Sequence, residues 1–257
     1  GLGDVYKRQA MVLASMNGHE DVVLRLVQAG GDINHRRTGP RPTEPEQGQT
    51  TLWWAAGQGR LGLVEYLADA GAGIDTPDSW GSTPLHQAAG GGHVQVAQYL
   101  LRAGADPMAR ISDGRTPINM AATHGQAQVV ELLLEHGVPA DTTGSAGYTP
   151  LMVACEDGSH DMIATLLDAG ADIGARHPGE GIYAGLRGWT PLVFAVRGGR
   201  VRVTEQMLAG GADPGAIITP AHGTTPAQHV IDFCHGRQSE RLHDLLVASG
   251  ARLPVSN

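Results

Sequence analysis

The chain has 257 residues, with 18 Lys and Arg against 26 Asp and Glu and a net charge of −8. That acidic balance argues against nucleic acid as a partner, since phosphate backbones are bound through a basic footprint, and no apolar run approaches the roughly 18 residues of a membrane span. Two cysteines, Cys155 and Cys234, make no disulfide framework, and with aromatics at only 4% the core must come from Leu, Val and Ala.

Residues 1–9 come first and match nothing that follows. Lys7 is the only lysine, against 17 arginines, which points to a GC-rich, bacterial coding sequence. Asp4-Val5-Tyr6-Lys7-Arg8-Gln9 looks like the translation of an adapter used in sequencing libraries, so residues 1–9 are set apart from the fold. The natural chain is then expected to begin further upstream.

From residue 10 onward a phrase recurs. It reads Thr50-Thr51-Leu52, Thr83-Pro84-Leu85-His86, Thr116-Pro117-Ile118 and Thr149-Pro150-Leu151, at a step of 33 residues, and Gly71, Gly104, Gly137 and Gly170 keep the same step. A fixed step of this size marks stacked supersecondary units. The units are placed at about 10–35, 47–76, 78–109, 111–142, 144–175, 187–216 and 222–253, with 254–257 as a tail.

The unit at 78–109 shows the physical content. Asp78-Ser79-Trp80-Gly81 carries turn chemistry. Thr83 can accept a hydrogen bond from an orphan amide at a helix start, and Pro84 follows at the first helical position, where a missing N–H costs nothing. Leu85, Ala88 and Ala89 give one apolar face, and the small alanines let a second helix approach. Gly90-Gly91-Gly92 stops the first helix. A second starts at His93 with Val94, Val96, Ala97, Leu100 and Leu101 as its apolar set, and Gly104 ends it. Neither helix is long enough to stand alone in water, so stacking must stabilise both.

The period breaks in three places. Gly30 to Gly71 and Thr149 to Thr190 are each 41 residues, and the extra residues fall in 36–46 and 176–186. Insertions there lengthen the projecting turns. The first holds Gly39, Pro40, Pro42 and Pro45. The second holds Ile182, Tyr183 and Leu186, and is expected to pack back on its own unit or to meet a partner. In the last unit His229-Val230-Ile231 stand where the others carry the alanine pair, and Gly236-Arg237-Gln238-Ser239 extend the turn. A terminal unit is expected to differ, with Arg241, His243 and Asp244 on a polar outer face.

The phrase Gly81-Ser82-Thr83-Pro84-Leu85-His86, with Ala88-Ala89, Gly92-His93, Leu100-Leu101 and Gly104-Ala105-Asp106, resembles the ankyrin repeat. Copies at Thr116-Pro117 with Ala121-Ala122, and at Thr149-Pro150-Leu151 with Leu166-Leu167, carry the likeness over nearly the whole chain. The resemblance implies an all-α fold, an α-solenoid of stacked helix-turn-helix units with projecting turns. It also implies a protein partner, because the family is mainly a binding scaffold. That surface would come from the turns and the exposed side of the first helices, which here hold Gln49, Gln58, Trp80, Ser82, Asp113, Arg115, Thr123, His124, Tyr148, Glu156, Asp157, Trp189 and Arg197, with Tyr183 in the second insertion. Trp80, Tyr148 and Trp189 are the expected anchors, since exposed aromatics and Arg favour interfaces. Trp54 is expected in the core, and Trp53 takes the place that His86 holds.

Competing chemistries are weak. His222, His229, Cys234, His235 and His243 form the densest metal-like group, but no pair has i, i+4 helical zinc spacing and no Cys-x-x-Cys exists. No phosphate-binding Gly loop or Gly-x-Ser-x-Gly elbow occurs. Glu156-Asp157 is an acidic pair at a helix end, which more often faces water than shares a proton. The reading is therefore a monomeric, non-catalytic protein-recognition scaffold using a groove and the enlarged turns, with no cofactor, no metal and no catalytic residue. Two alternatives stay open: a regulatory or effector module whose catalytic part lies upstream, and a metal- or small-ligand-binding variant at the last repeat.

Overall fold

The computed structural model describes residues 2–37, 47–179, 181–215, 217–218, 228–229 and 239–250, with side chains for these except 2–8, 181–183, 217–218, 228–229 and 239. The chain divides into two units, Gly1–Leu133 and Leu134–Asn257.

The first unit holds helix pairs α1 (Leu2–Met16) and α2 (Glu20–Gln28), α3 (Thr51–Gly57) and α4 (Leu61–Asp69), α5 (Pro84–Gly91) and α6 (Val94–Arg102), and α7 (Pro117–Thr123) with most of α8 (Ala127–Glu135). The first helices stack in register, α1 on α3, α3 on α5 and α5 on α7. In the 78–109 copy Thr83 is the N-cap, Pro84 opens α5, and Gly92 closes it at φ 72°, a left-handed conformation that suits glycine. Leu85, Ala88 and Ala89 of α5 and Val96, Ala97 and Leu100 of α6 are buried, so both apolar faces meet in one core. Residues 2–9, set apart by sequence, continue α1 as helix.

The second unit holds α9 (Pro150–Asp157) and α10 (His160–Asp168), α11 (Pro191–Arg197) and α12 (Val201–Ala209), and α13 (Ser239–Ala248). Short 3₁₀ turns span Ser145–Gly147 and Gly181–Leu186. The fold is an all-α repeat solenoid with one local exception. β1 (Ile217–Ile218) pairs antiparallel with β2 (Gln228–His229). His229, expected in the first helix of the seventh unit, is thus extended. The alanine pair that admits a close second helix is missing there, and the backbone finds its partners across the two strands instead. The remaining residues of that unit's expected helix start lie outside the described residues.

Five projecting turns among the described residues close on a backbone pair. Asp78 N donates 2.9 Å to the Ser82 carbonyl, Ile111 N 2.9 Å to Arg115, and Gly144 N 2.9 Å to Tyr148. The two long turns close the same way, with Arg37 N donating 2.8 Å to Gln49 and His177 N 2.9 Å to Trp189. The extra residues of the second long turn therefore sit inside the turn, above an ordinary base. Residues 38–46 of the first lie outside the described residues.

Candidate functional site

The site is built on turn bases, and the third helical residue decides how each base is held. In α5 that residue is His86. The Thr83 amide donates 3.2 Å to His86 Nδ1, the hydroxyl lies 2.9 Å from the same nitrogen, and Thr83 and His86 complete a reciprocal capping box. An accepting Nδ1 puts the ring proton on Nε2, which donates 3.3 Å to the Arg115 carbonyl of the next turn. Burial pushes the His86 pKa down to about 4, so this neutral tautomer persists through mild acid. In α3 the same place holds Trp53, and its Nε1 donates 3.0 Å to the Ser82 carbonyl. The indole thus does for the 78–82 turn what the imidazole does for the 111–115 turn. In α7 Asn119 replaces the histidine and keeps the box, Thr116 N reaching its Oδ1 at 3.0 Å.

In the second unit the third residues are Met152 and Val193, both buried and both without a donor. The long turn is held by rings instead. Tyr148 meets His177 edge-on at 4.7 Å and Phe194 at 5.3 Å, while Trp189 meets Phe194 at 5.3 Å. His177 is buried, which lowers its pKa, and its Nδ1 accepts from Gly179 at 3.0 Å.

Several candidates read as exposed are placed otherwise. Trp189, read from its place in the turn as a projecting anchor, is only 7% exposed, because the ring fills the space over Phe194, and the Arg197 guanidinium sits 5.1 Å above it. Ser82 is also 7% exposed, its amide bonded to Asp78 and its hydroxyl accepting from Gln87 at 2.8 Å. Gln49 is buried in the base of the first long turn. Gln58 is partly buried, its amide shared between the Ser15 and Met16 carbonyls. Trp54, expected in the core, is half-buried and stands edge-on to Trp53 at 4.9 Å.

The remaining candidates fall into two sets. In the first unit Trp80 is 54% exposed. Its amide donates 2.9 Å to Asp78 Oδ1, and its carbonyl accepts from Ser112 at 2.7 Å. One turn on, Arg115 Nε donates 2.9 Å to Asp113 Oδ2 and Nη2 lies 2.8 Å from the same oxygen. Burial raises the Asp113 carboxyl, but Arg115 outweighs it and the net shift is downward. Thr123 and His124 are exposed at the end of α7, where His124 Nδ1 lies 2.8 Å from the Met120 carbonyl. In the second unit Asp157 and Arg197 are exposed, and Tyr148 and Glu156 are intermediate. The Tyr183 side chain lies outside the described residues.

Among the described residues no group of three or more His, Cys, Asp or Glu could hold a metal ion. His222, Cys234 and His235 lie outside the described residues, as does the side chain of His229, and His243 is exposed beside Asp244 at 3.8 Å. Cys155 is buried, which raises its thiol pKa and leaves it a small core residue. No helix among the described residues is long and apolar enough to cross a membrane.

The sequence reading missed His177 and Phe194. One signal was present: a histidine and a tryptophan flank an insertion whose following helix carries an aromatic at its fourth position.

A search of curated proteins returns no match. The family described as Ankyrin repeats (3 copies) matches residues 11–111 and 105–177, and that described as Ankyrin repeats (many copies) matches 151–208. Ankyrin repeats are in general protein–protein interaction modules and in general non-catalytic. With the capped helix pairs, the closed turn bases and matches over most of its length, the chain belongs to the ankyrin-repeat family.

Proposed function

We propose that the chain binds a partner protein, without catalysis, on its projecting turns and the first helices behind them. Trp80 carries this reading. The residue is more than half exposed while its backbone is fixed on both sides, by Asp78 and by Ser112. An exposed aromatic on an ordered backbone is a prepared anchor, since little remains to be ordered on binding. Arg115, Asp113 and His124 extend the surface in the same unit. Tyr148, Glu156, Asp157 and Arg197, with Tyr183, supply its counterpart in the second unit.

The test compares the protein retained by the immobilised wild-type chain with that retained by Trp80→Ala and Trp80→Ala/Arg115→Ala. The expected result is weaker capture by about 2 kcal/mol for the anchor, with thermal melts unchanged. Equal capture by the double variant overturns the reading.

A further inference from the structure

The second helices start on a residue that reaches back one repeat. His93 Nε2 lies 2.9 Å from the Gly57 carbonyl, and Gln126 donates 3.4 Å to that of Gly90. At the start of α12 the same position holds Arg200, whose Nε donates 3.0 Å to the Glu156 carbonyl at the end of α9. One guanidinium nitrogen suffices for the tie that an imidazole or amide makes elsewhere. No ion pair with a carboxylate is formed by Arg200 or by Arg202 among the described residues.

These two arginines belong to a cleft of about 390 Å³ lined by Gly158, His160, Gly199, Arg200, Arg202 and Arg241, among others, with no Asp or Glu among the described residues of its lining. Arg241 of α13 has a 72% exposed side chain and makes a long, solvent-exposed ion pair with Glu205 at 3.8 Å. His160 is held by Gln206, with Nδ1 2.7 Å from Oε1 and the Gln206 amide donating 3.2 Å to the His160 carbonyl. No side chain caps the N-terminus of α12, which adds a positive dipole end to the same wall. In a chain of net charge −8 this is a concentrated positive feature.

We propose that this cleft binds an acidic segment of a partner protein. Its arginines come from two helices and line an open volume with room for more than one side chain. Carboxylates spaced along a peptide meet separated guanidinium groups better than one compact anion, which needs donors that converge. The cleft lies at the α9–α10 and α11–α12 turns, at the opposite end of α11 from the Thr190-Pro191 start and next to Glu156, Asp157 and Arg197.

The test uses the full chain and a fluorescein-labelled polyglutamate peptide, read by anisotropy. The wild type should bind, more weakly as salt rises. Arg202→Gln/Arg241→Gln should weaken binding by about tenfold or more, while Arg102→Gln and Trp80→Ala should leave it unchanged. Arg202 and Arg241 are both exposed, so the double variant should melt as the wild type does. Absent binding, or equal binding by the double variant, overturns the proposal. So does inorganic phosphate that displaces the peptide at equal concentration, because the cleft would then be a small-anion site. A Trp80→Ala result that spares peptide binding while abolishing partner capture separates the two surfaces.

Discussion

The turn at 111–115 and the turn at 177–189 close on the same backbone pair but are supported by opposite chemistry. Below the short turn lies a buried imidazole that donates to its base, with Trp53 repeating the device one turn earlier. In the matching place before the long turn lies Met152, which can donate nothing, and four rings do the supporting. Directional bonds fix a short turn at a known height. A longer turn brings side chains of its own, and apolar contact is indifferent to the height at which they arrive. The difference teaches that one repeat motif can hold its turns either by hydrogen bonding or by packing.

The largest expected effect is on the packed side. Phe194→Ala should cost about 3–5 kcal/mol in denaturant melts, since the residue is fully buried and touches Tyr148, His177 and Trp189. Leu100→Ala, an ordinary fully buried position in the first unit, is the reference at about 2–5 kcal/mol. If Phe194→Ala cost no more than a surface change, the rings would be incidental and the comparison would fail.

The hydrogen-bonded side should reveal itself through pH. The His86 pKa is near 4 in the folded chain and 6.5 in the reference state, so on acidification the unfolded chain takes up the proton first. The stability tied to neutral His86 is complete above pH 6.5, shrinks as pH falls toward 4 and then levels off, a total of about 3 kcal/mol. His177 shifts the same way, so the discriminating measurement is the difference between wild type and His86→Asn. Asn119 shows that asparagine can complete the box. His86→Asn should therefore fold and lose most of the slope between pH 7 and 4; an unaltered slope would assign the effect elsewhere.

The smallest effect sharpens the contrast most directly. Thr116→Ala removes a hydroxyl bonded to Asn119 at 2.9 Å and should cost about 1 kcal/mol. The Thr190 hydroxyl is buried with no hydrogen-bond partner among the described residues, so Thr190→Ala should cost clearly less. Equal losses in urea melts would mean that the two helix starts are held alike.

Most of the fold could be read from the sequence because it rests on local chemistry. Thr83, Pro84 and Gly92 act on their own helix, and a fixed step carries that chemistry from copy to copy. The site was less legible. Whether Trp189 points out or in depends on Phe194 and on the folding back of a nonstandard insertion, neither of which the repeat pattern encodes. Trp80, on a turn of ordinary length, is exposed as expected. Ser82 and Gln49 are buried because small polar side chains at a turn base are drawn into the base itself. The arginine cleft escaped the sequence reading because Arg200, Arg202 and Arg241 are separated by the last irregular repeat and converge only through helix packing.

The closed base beneath the 177–189 turn has an evolutionary consequence. The two ends of that segment leave the stack at the spacing set by the backbone pair, as the ends of the 78–82 turn do. Going from a three-residue to an eleven-residue excursion adds only roughly 1 kcal/mol of closure entropy. The position therefore works as a splice point, where new sequence can be tried and discarded while the neighbouring repeats keep their alignment. Diversity can accumulate at the tips of such a protein at little cost to its spine.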